Sequence, residues 1–448
     1  MGDNEARNAH QVTDNSDLPT EVVPEVPAAQ TAPKPAPAPR RRSVDEQVSR
    51  VLTQIGSIDP IELHLLDAQG LLLAEQVVTE APLPAFDNAA TDGYAVRAID
   101  LRQASEDHPL VLPVVGDVLA GTRSVSGMGP GLCMRIMTGA PIPPGADAVV
   151  PLQDTDGGVA RVAIRRAMRT GEGVRRAGED LAAGAVALGP GATLGPQQIA
   201  LLAAVGRDRV IVQPRPRVVV IATGSELVDV GTRPGYAEVV DTNSYMLASA
   251  ARDAGADAYR AGIIEDDHAK LLDKLDSQLL RSDLIITTGG VSLGAFDMVK
   301  QALSQLGSVD FTKVAMSPGS AQGFGLLGRE RTPIFCLPGN PAAALVAFEV
   351  FVRPAIRKLL GKRSLHRQTV QATALERIDS VAGQRDYRRG VLHREPDGRY
   401  SVSLAGGPGP HLVAALAAAN CLVIIDEEVT EVVPGSRVSV QPLMLAQR

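Results

Sequence analysis

Cysteine is scarce in this 448-residue chain: Cys133, Cys336 and Cys421 stand far apart, and none has a C-x-x-C partner. None of the seven histidines falls in an H-E-x-x-H pattern, so a zinc site finds little support and the thiols are expected to be ordinary packed residues. A surplus of positive charge is missing too. Forty-four Lys and Arg against 51 Asp and Glu leave a net charge of −7, scattered along the chain, which argues against bulk nucleic-acid binding. No apolar run approaches the roughly 18–20 residues that span a bilayer, and the first residues hold no apolar export core. Those absences point to a cytoplasmic, reducing setting without membrane insertion. G-x-x-x-x-G-K-[ST] does not occur, so a P-loop NTPase lacks its defining loop.

What is present is length and apolar material, 45% of all residues, enough for two to four domains. Residues 1–43 carry seven of the 32 prolines and no aromatic residue, the composition of a disordered tail. At Ser43 the pattern changes: its side chain is placed to cap a helix with Glu46 reaching back, and Val44, Val48, Val51, Leu52 and Ile55 recur on one helical face. Between about 77 and 187, short apolar stretches broken by Gly and Pro suit a small β-rich domain. From 217 onward, apolar strands near 218–221, 258–264, 284–286 and 333–337 alternate with helical patterns, the last over 342–360. That rhythm indicates a parallel sheet covered on both faces. Beyond 361 only strand-like runs remain, at 370–374, 400–404, 422–425 and 438–440, which suits a separate all-β domain.

An open parallel sheet binds ligands outside the carboxyl ends of its strands, where loops feed helix N-termini. Three loops are expected there: Thr223-Gly224-Ser225-Glu226, Thr287-Thr288-Gly289-Gly290-Val291-Ser292 with Asp297 beyond, and Pro338-Gly339-Asn340-Pro341. Gly289 and Gly290 let the backbone approach a phosphate, and the hydroxyls of Thr288 and Ser292 add donors. Asn340 is placed as N-cap with Pro341 at the first helical position. Glu226 and Asp297 in such loops suit Mg²⁺ beside a phosphate, as Asp266 does with less force, whereas helix capping accounts for Asp267 and for Asn243-Ser244. The β-rich segment adds a crowded loop over 84–96, Thr138, and Arg175-Arg176, either a phosphate clamp or a solvated pair.

Seven of these motifs, in order, resemble the MoeA family of molybdopterin molybdenumtransferases and its gephyrin relatives: the 86–96 loop, Thr138-Gly139-Ala140, Gly178-Glu179-Asp180, 223–227, 287–297, 313–325 and 337–341. The resemblance implies a multidomain fold of α/β plus β: an elongated linker from 44–79 and 185–214, an inserted β-rich domain over 80–184, a three-layer molybdopterin-binding α/β domain with a parallel sheet over 215–362, and a β-barrel-like domain over 363–448. It also implies a homodimer whose site joins the α/β domain of one chain to the inserted domain of the other. The chemistry implied is insertion of molybdate into adenylylated molybdopterin with release of AMP, assisted by Mg²⁺. By motif, Asp92, Thr138, Asp180, Glu226, Asp266, Asp297 and Lys313 match functional positions of the family, while Pro338 and Pro341 match the loop shaping its site. This chain departs from the family at Thr91, where Met is usual, at Ser225, where an acid is usual, and at Ser317 and Ser320. Those two serines flank Pro318-Gly319 where the family carries lysines, so two ammonium groups are missing from the anion clamp unless Arg175 and Arg176 replace them. The serines resemble gephyrin-like actinobacterial members of the family, which implies as an alternative a dimeric scaffold for a cell-division or other protein partner.

Overall fold

The computed structural model describes residues 41–291, 298–305, 309–407 and 409–443. The expected tail, up to residue 40, and the site candidates Ser292 and Asp297 lie outside the described residues. Order begins as the sequence pattern requires. Ser43 Oγ accepts from Glu46 N at 3.1 Å and Glu46 Oε2 accepts from Ser43 N at 2.9 Å, a reciprocal cap on the helix Val44–Gln54. Val44, Val51 and Ile55 of this stretch are buried in the core that also covers one face of the α/β sheet. The helix therefore belongs to that core by packing, although by sequence it opens the linker segment.

The central sheet has six strands, in the order Asp257–Ile264, Arg217–Thr223, Leu284–Thr288, Thr332–Leu337, Ala321–Leu327 and Val309–Lys313. The first four are parallel. The last two, which periodicity did not reveal, add antiparallel pairings at one edge. Ala321–Leu327 reads poorly as a strand because of Gly323 and Gly325, yet a side chain at Gly323 would come within 2.6 Å of the Phe311 ring on the neighbouring strand. Close packing demands the glycine there. The two faces are covered by separate apolar clusters, one containing Val218, Leu284, Phe335 and Phe348, the other Val219, Ile285, Leu271 and Leu303. Burial on both faces is why these strands read as continuous apolar runs.

The long helix expected over 342–360 forms as Pro341–Ala347, a wider π turn at Phe348–Val352, and Arg353–Leu359. Pro354 brings no N–H and its ring presses on the preceding turn, which the widening accommodates. Upstream, a three-stranded sheet of Ile61–His64, Arg209–Gln213 and Leu72–Leu73 joins segments more than a hundred residues apart. Between them lies a five-stranded sheet of Ala148–Pro151, Gly93–Val96, Cys133–Ile136, Leu110–Val118 and Arg161–Ile164, with Tyr94, Leu112 and Val162 in its core. Downstream, Arg385–Arg394 pairs with both Tyr400–Leu404 and Cys421–Ile425. With Val370–Ala374 and Arg437–Pro442 these strands close a five-stranded barrel. All three cysteines are free and buried, and burial pushes their thiols up to about 12. Among the described residues no helix is long and apolar enough to cross a membrane.

Candidate active site

Parallel register brings the strand ends flush. Thr223 stands opposite Ile264, Ala222 opposite Thr288, and Thr288 opposite Leu337, so the loops that follow all leave from one edge of the sheet. Gly224 N donates to Ile264 O at 3.0 Å and Gly289 N to Leu337 O at 3.1 Å, which binds neighbouring loops together at their roots. Two glycines are obligatory here. Gly289 has φ +105° and a Cβ on it would lie 2.3 Å from Thr223 O; Gly290 has φ +62° and a Cβ there would press on Val299 at 2.7 Å.

Above this edge open two adjoining cavities of about 620 and 380 Å³ that share Thr223, Glu226, Gly289, Gly339 and Asn340. The larger also touches Asp266, Gly290, Gly319, Ser320 and Pro338; the smaller touches Asp241, Asn243, Thr288, Pro341 and His411. The three loops named from sequence thus meet in one cleft. Its described walls carry the carboxylates Glu226, Asp241 and Asp266 and no lysine or arginine. The Glu226 side chain is exposed. Asp266 Oδ2 accepts from Ser225 N at 3.4 Å while Ser225 Oγ accepts from Asp266 N at 3.0 Å, so the serine at the departing position locks two loops together. Asp241 is nearly fully buried and is spent on Ser244 N at 3.0 Å, the Ser244 hydroxyl, and Arg260 at 3.3 Å. It is a helix cap rather than a free ligand.

Several expectations change at the level of single hydrogen bonds. The Thr288 hydroxyl, expected to face a phosphate, is buried and donates to Pro338 O at 3.1 Å. Asn340 precedes Pro341 as the N-cap residue, but its side chain makes no capping bond. Asp267 does cap its helix, accepting from Ala269 N and Lys270 N, and those N–H groups hold its carboxyl below the usual range. Asn243 does not cap; its amide bonds to Thr288 and Gly339 instead. Ser317 lines a smaller cavity of about 190 Å³ toward the barrel, with Asp386, Arg388 and Arg389. Burial pushes the Asp386 carboxyl up, against the Arg388 guanidinium 2.6 Å away, while Arg389 donates to the carbonyls of Gly407, Gly409 and Leu412. Sequence reasoning missed Asn243 and His411 as cleft residues, and Asp386 and Arg389 as lining the smaller cavity beside it. Only their position beside glycine-rich loops in the fold brings them there.

The remaining candidates stand elsewhere. Lys313 is exposed at the end of the edge strand, opposite Ala321 in register and outside the cleft walls. In the inserted domain the pairing of Gly93 with Ile136 sets Asp92 beside Thr138, whose N and Oγ1 both donate to Asp92 Oδ1 at 2.7 Å. Arg176 is held by Asp87 at 2.6 Å, and Arg175 reaches the Ala90 carbonyl at 3.3 Å. Asp180 is exposed, its backbone N donating to Leu83 O at 3.1 Å. None of these five lines the cleft of its own chain. Among the described residues no cluster of three or more His, Cys, Asp or Glu is set to hold a metal ion. By donor type, Glu226 and Asp266 on one wall suit a hard divalent cation shared with ligand oxygens.

Comparison with known proteins finds matches along most of the chain. Residues 42–206 match the MoeA N-terminal region (domain I and II), 219–358 a probable molybdopterin binding domain, and 371–443 the MoeA C-terminal region (domain IV). Molybdopterin molybdenumtransferase 1 of Mycobacterium tuberculosis is 47% identical over 418 residues, covering 89% of this chain and 98% of that protein. The molybdopterin molybdenumtransferase of Haemophilus influenzae is 33% identical over 407 residues, again 89% and 98%. Among solved structures, the molybdopterin biosynthesis MoeA protein from Pyrococcus horikosii superposes with a TM-score of 0.77 at 29% identity, covering 90% of this chain and all of that one.

Proposed function

The chain belongs to the MoeA family of molybdopterin molybdenumtransferases, and from that membership and the cleft we propose that it inserts molybdate into adenylylated molybdopterin with release of AMP. The observation that carries the reading is that the three glycine-bearing loops at the carboxyl edge of the parallel sheet meet in one cleft within the region matched as a probable molybdopterin binding domain; the sign of the charge there then says what else the site needs. A substrate with two linked phosphates, joined by a molybdate dianion, has to enter a space whose described walls offer Glu226, Asp241 and Asp266 but no cation. Such a site needs positive charge from outside its own walls. Mg²⁺ held by Glu226 and Asp266 would supply part of it, neutralising phosphoryl oxygens beside the carboxylates. The backbone of Gly289-Gly290 and of Gly339 would lie against the substrate, since neither loop has side chains to keep it away.

Within the same reading, the homodimer implied by the family supplies the rest. Asp92, Thr138, Arg175, Arg176 and Asp180 belong to the inserted domain and line neither cavity of the α/β cleft, and a second copy would present that surface to the cleft. The test is molybdate-dependent AMP release by the purified chain, with and without Mg²⁺. Glu226→Ala is expected to lower turnover about 10²-fold or more at unchanged Tm, because an exposed loop carboxylate contributes little to the core. Normal turnover by that variant would return Glu226 to a surface role. A second reading rests on Ser317 and Ser320, which leave the cleft without ammonium groups: a gephyrin-like dimeric scaffold, for which the folded dimer releases no AMP at all.

A further inference from the structure

Two of the cleft's loops are joined by one side chain that helix capping does not account for. Asn243 is the first residue of the helix Asn243–Ala254 and is only 8% exposed. Its Nδ2 donates to Thr288 Oγ1 at 2.9 Å and to Gly339 O at 2.6 Å. These acceptors lie in different loops, one after Leu284–Thr288, the other after Thr332–Leu337. Thr288 Oγ1 passes the connection on, donating to Pro338 O at 3.1 Å. The loops abut here, for a Cβ on Gly339 would lie 3.7 Å from Gly289 Cα.

The amide has one workable orientation. Turned over, it would set Oδ1 against the Gly339 carbonyl, losing that bond and leaving only the Thr288 hydroxyl able to meet it, by donating. In the orientation present, Oδ1 is buried and has no partner. A buried carbonyl left unpaired is unfavourable, so the two bonds made by the NH₂ end have to offset it. Capping is already provided by Asp241, which accepts from Ser244 N. The glycines themselves have no side chains to pack, so hydrogen bonds between the loops contribute to holding their spacing.

We propose that Asn243 is a positioning residue for the transferase reaction: by tying the Thr288-Gly289-Gly290 loop to the Pro338-Gly339-Asn340 loop it sets the width of the cleft for its phosphorylated substrate, without touching the reacting atoms. This rests on the reading of the cleft as the substrate site. Asn243→Ala removes the tie, and Asn243→Asp keeps the size but replaces the donor with a carboxylate facing two acceptors. In both variants equilibrium dialysis is expected to show binding of adenylylated molybdopterin weakened at least about ten-fold, with KM rising accordingly, kcat at saturation falling as well and Tm nearly unchanged, since a displaced loop costs both binding and orientation of the substrate. Hydrogen exchange in the ligand-free protein is expected to quicken in both 287–291 and 337–341.

Thr288→Val cuts the same connection from the other end and covers the case in which an Asn243 variant does not fold. Combined with Asn243→Ala it should add little, because one network is broken twice. Binding within about two-fold of the parent, with unchanged exchange in the folded variants, would overturn the proposal. Asn340→Trp, an exposed side chain filling the cleft, separates the two ideas. If it blocks binding while the Asn243 variants bind normally, the tie is wrong and the cleft reading stands. If it binds normally, the cleft reading fails and takes the substrate role of Asn243 with it.

Discussion

At the scale of single residues, the site is made by short hydrogen bonds that decide which groups remain free. Asp92 shows this best. Two donors from Thr138, its backbone N first and its hydroxyl second, hold the exposed Asp92 carboxyl below the usual carboxylate range. Both bonds favour the charged form, so whatever they contribute is present above the unfolded value and is lost as pH falls through the lowered one. Thr138→Val removes only the hydroxyl. The Asp92 carboxyl is expected to move part of the way back up, seen by side-chain NMR titration, while the fold is unaffected. A titration identical to the parent's would show that the backbone N–H does all the holding. Ser225 illustrates the same economy: where an acid is usual in the family, a serine makes the loop-to-loop bond with Asp266 and leaves one negative charge fewer beside the cleft.

At the scale of elements, local signals and packing agree at the start of the fold. The helix Val44–Gln54 has its reciprocal cap, and its first-turn Asp45 is held by Arg385 of the barrel through two bonds of 2.9 and 3.0 Å. Ser43→Ala is expected to cost about 1 kcal/mol, read as a shift of the urea midpoint at constant slope. No shift would mean that burial of Val44, Val51 and Ile55 holds the helix without its cap. The long helix at Pro341 is the contrasting case. Its beginning is plain in Pro338-Gly339-Asn340-Pro341, whereas its π turn depends on Pro354 and on the buried side chains Phe348 and Phe351 packed against the sheet.

At the scale of the whole molecule, the family-implied functional residues that the structure describes, Lys313 aside, fall into two groups within one chain, the cleft at the sheet edge and the Asp92-Thr138 surface of the inserted domain. If the proposed site joins two chains, damage in different groups is complementable. Mixing Asp92→Ala with Glu226→Ala protomers through unfolding and refolding should yield heterodimers with one intact site of two, restoring about a quarter of the parent activity for a random mixture. Activity that stays at the level of the separate variants would place both groups in one chain's site. The assay separates the shared-site arrangement from a site complete in each protomer.

Periodicity and loop chemistry in the sequence determined the four parallel strands, the capped first helix and the three loops of the cleft, because each is written in residues close together in the chain. Apolar runs such as Val218 to Ile221 and turns such as Thr288-Gly289-Gly290 carry their own meaning. Tertiary structure alone decided the antiparallel edge strands, where Gly323 makes sense only against Phe311, and the barrel strand Arg385–Arg394, whose many charges conceal its buried face. It alone decided that Thr288 and Asp241 are spent internally and that Asn243 joins two loops. Hydrogen-bond partners that lie 45 and 96 residues away are set by the register of a parallel sheet, and no local pattern in the chain encodes that register.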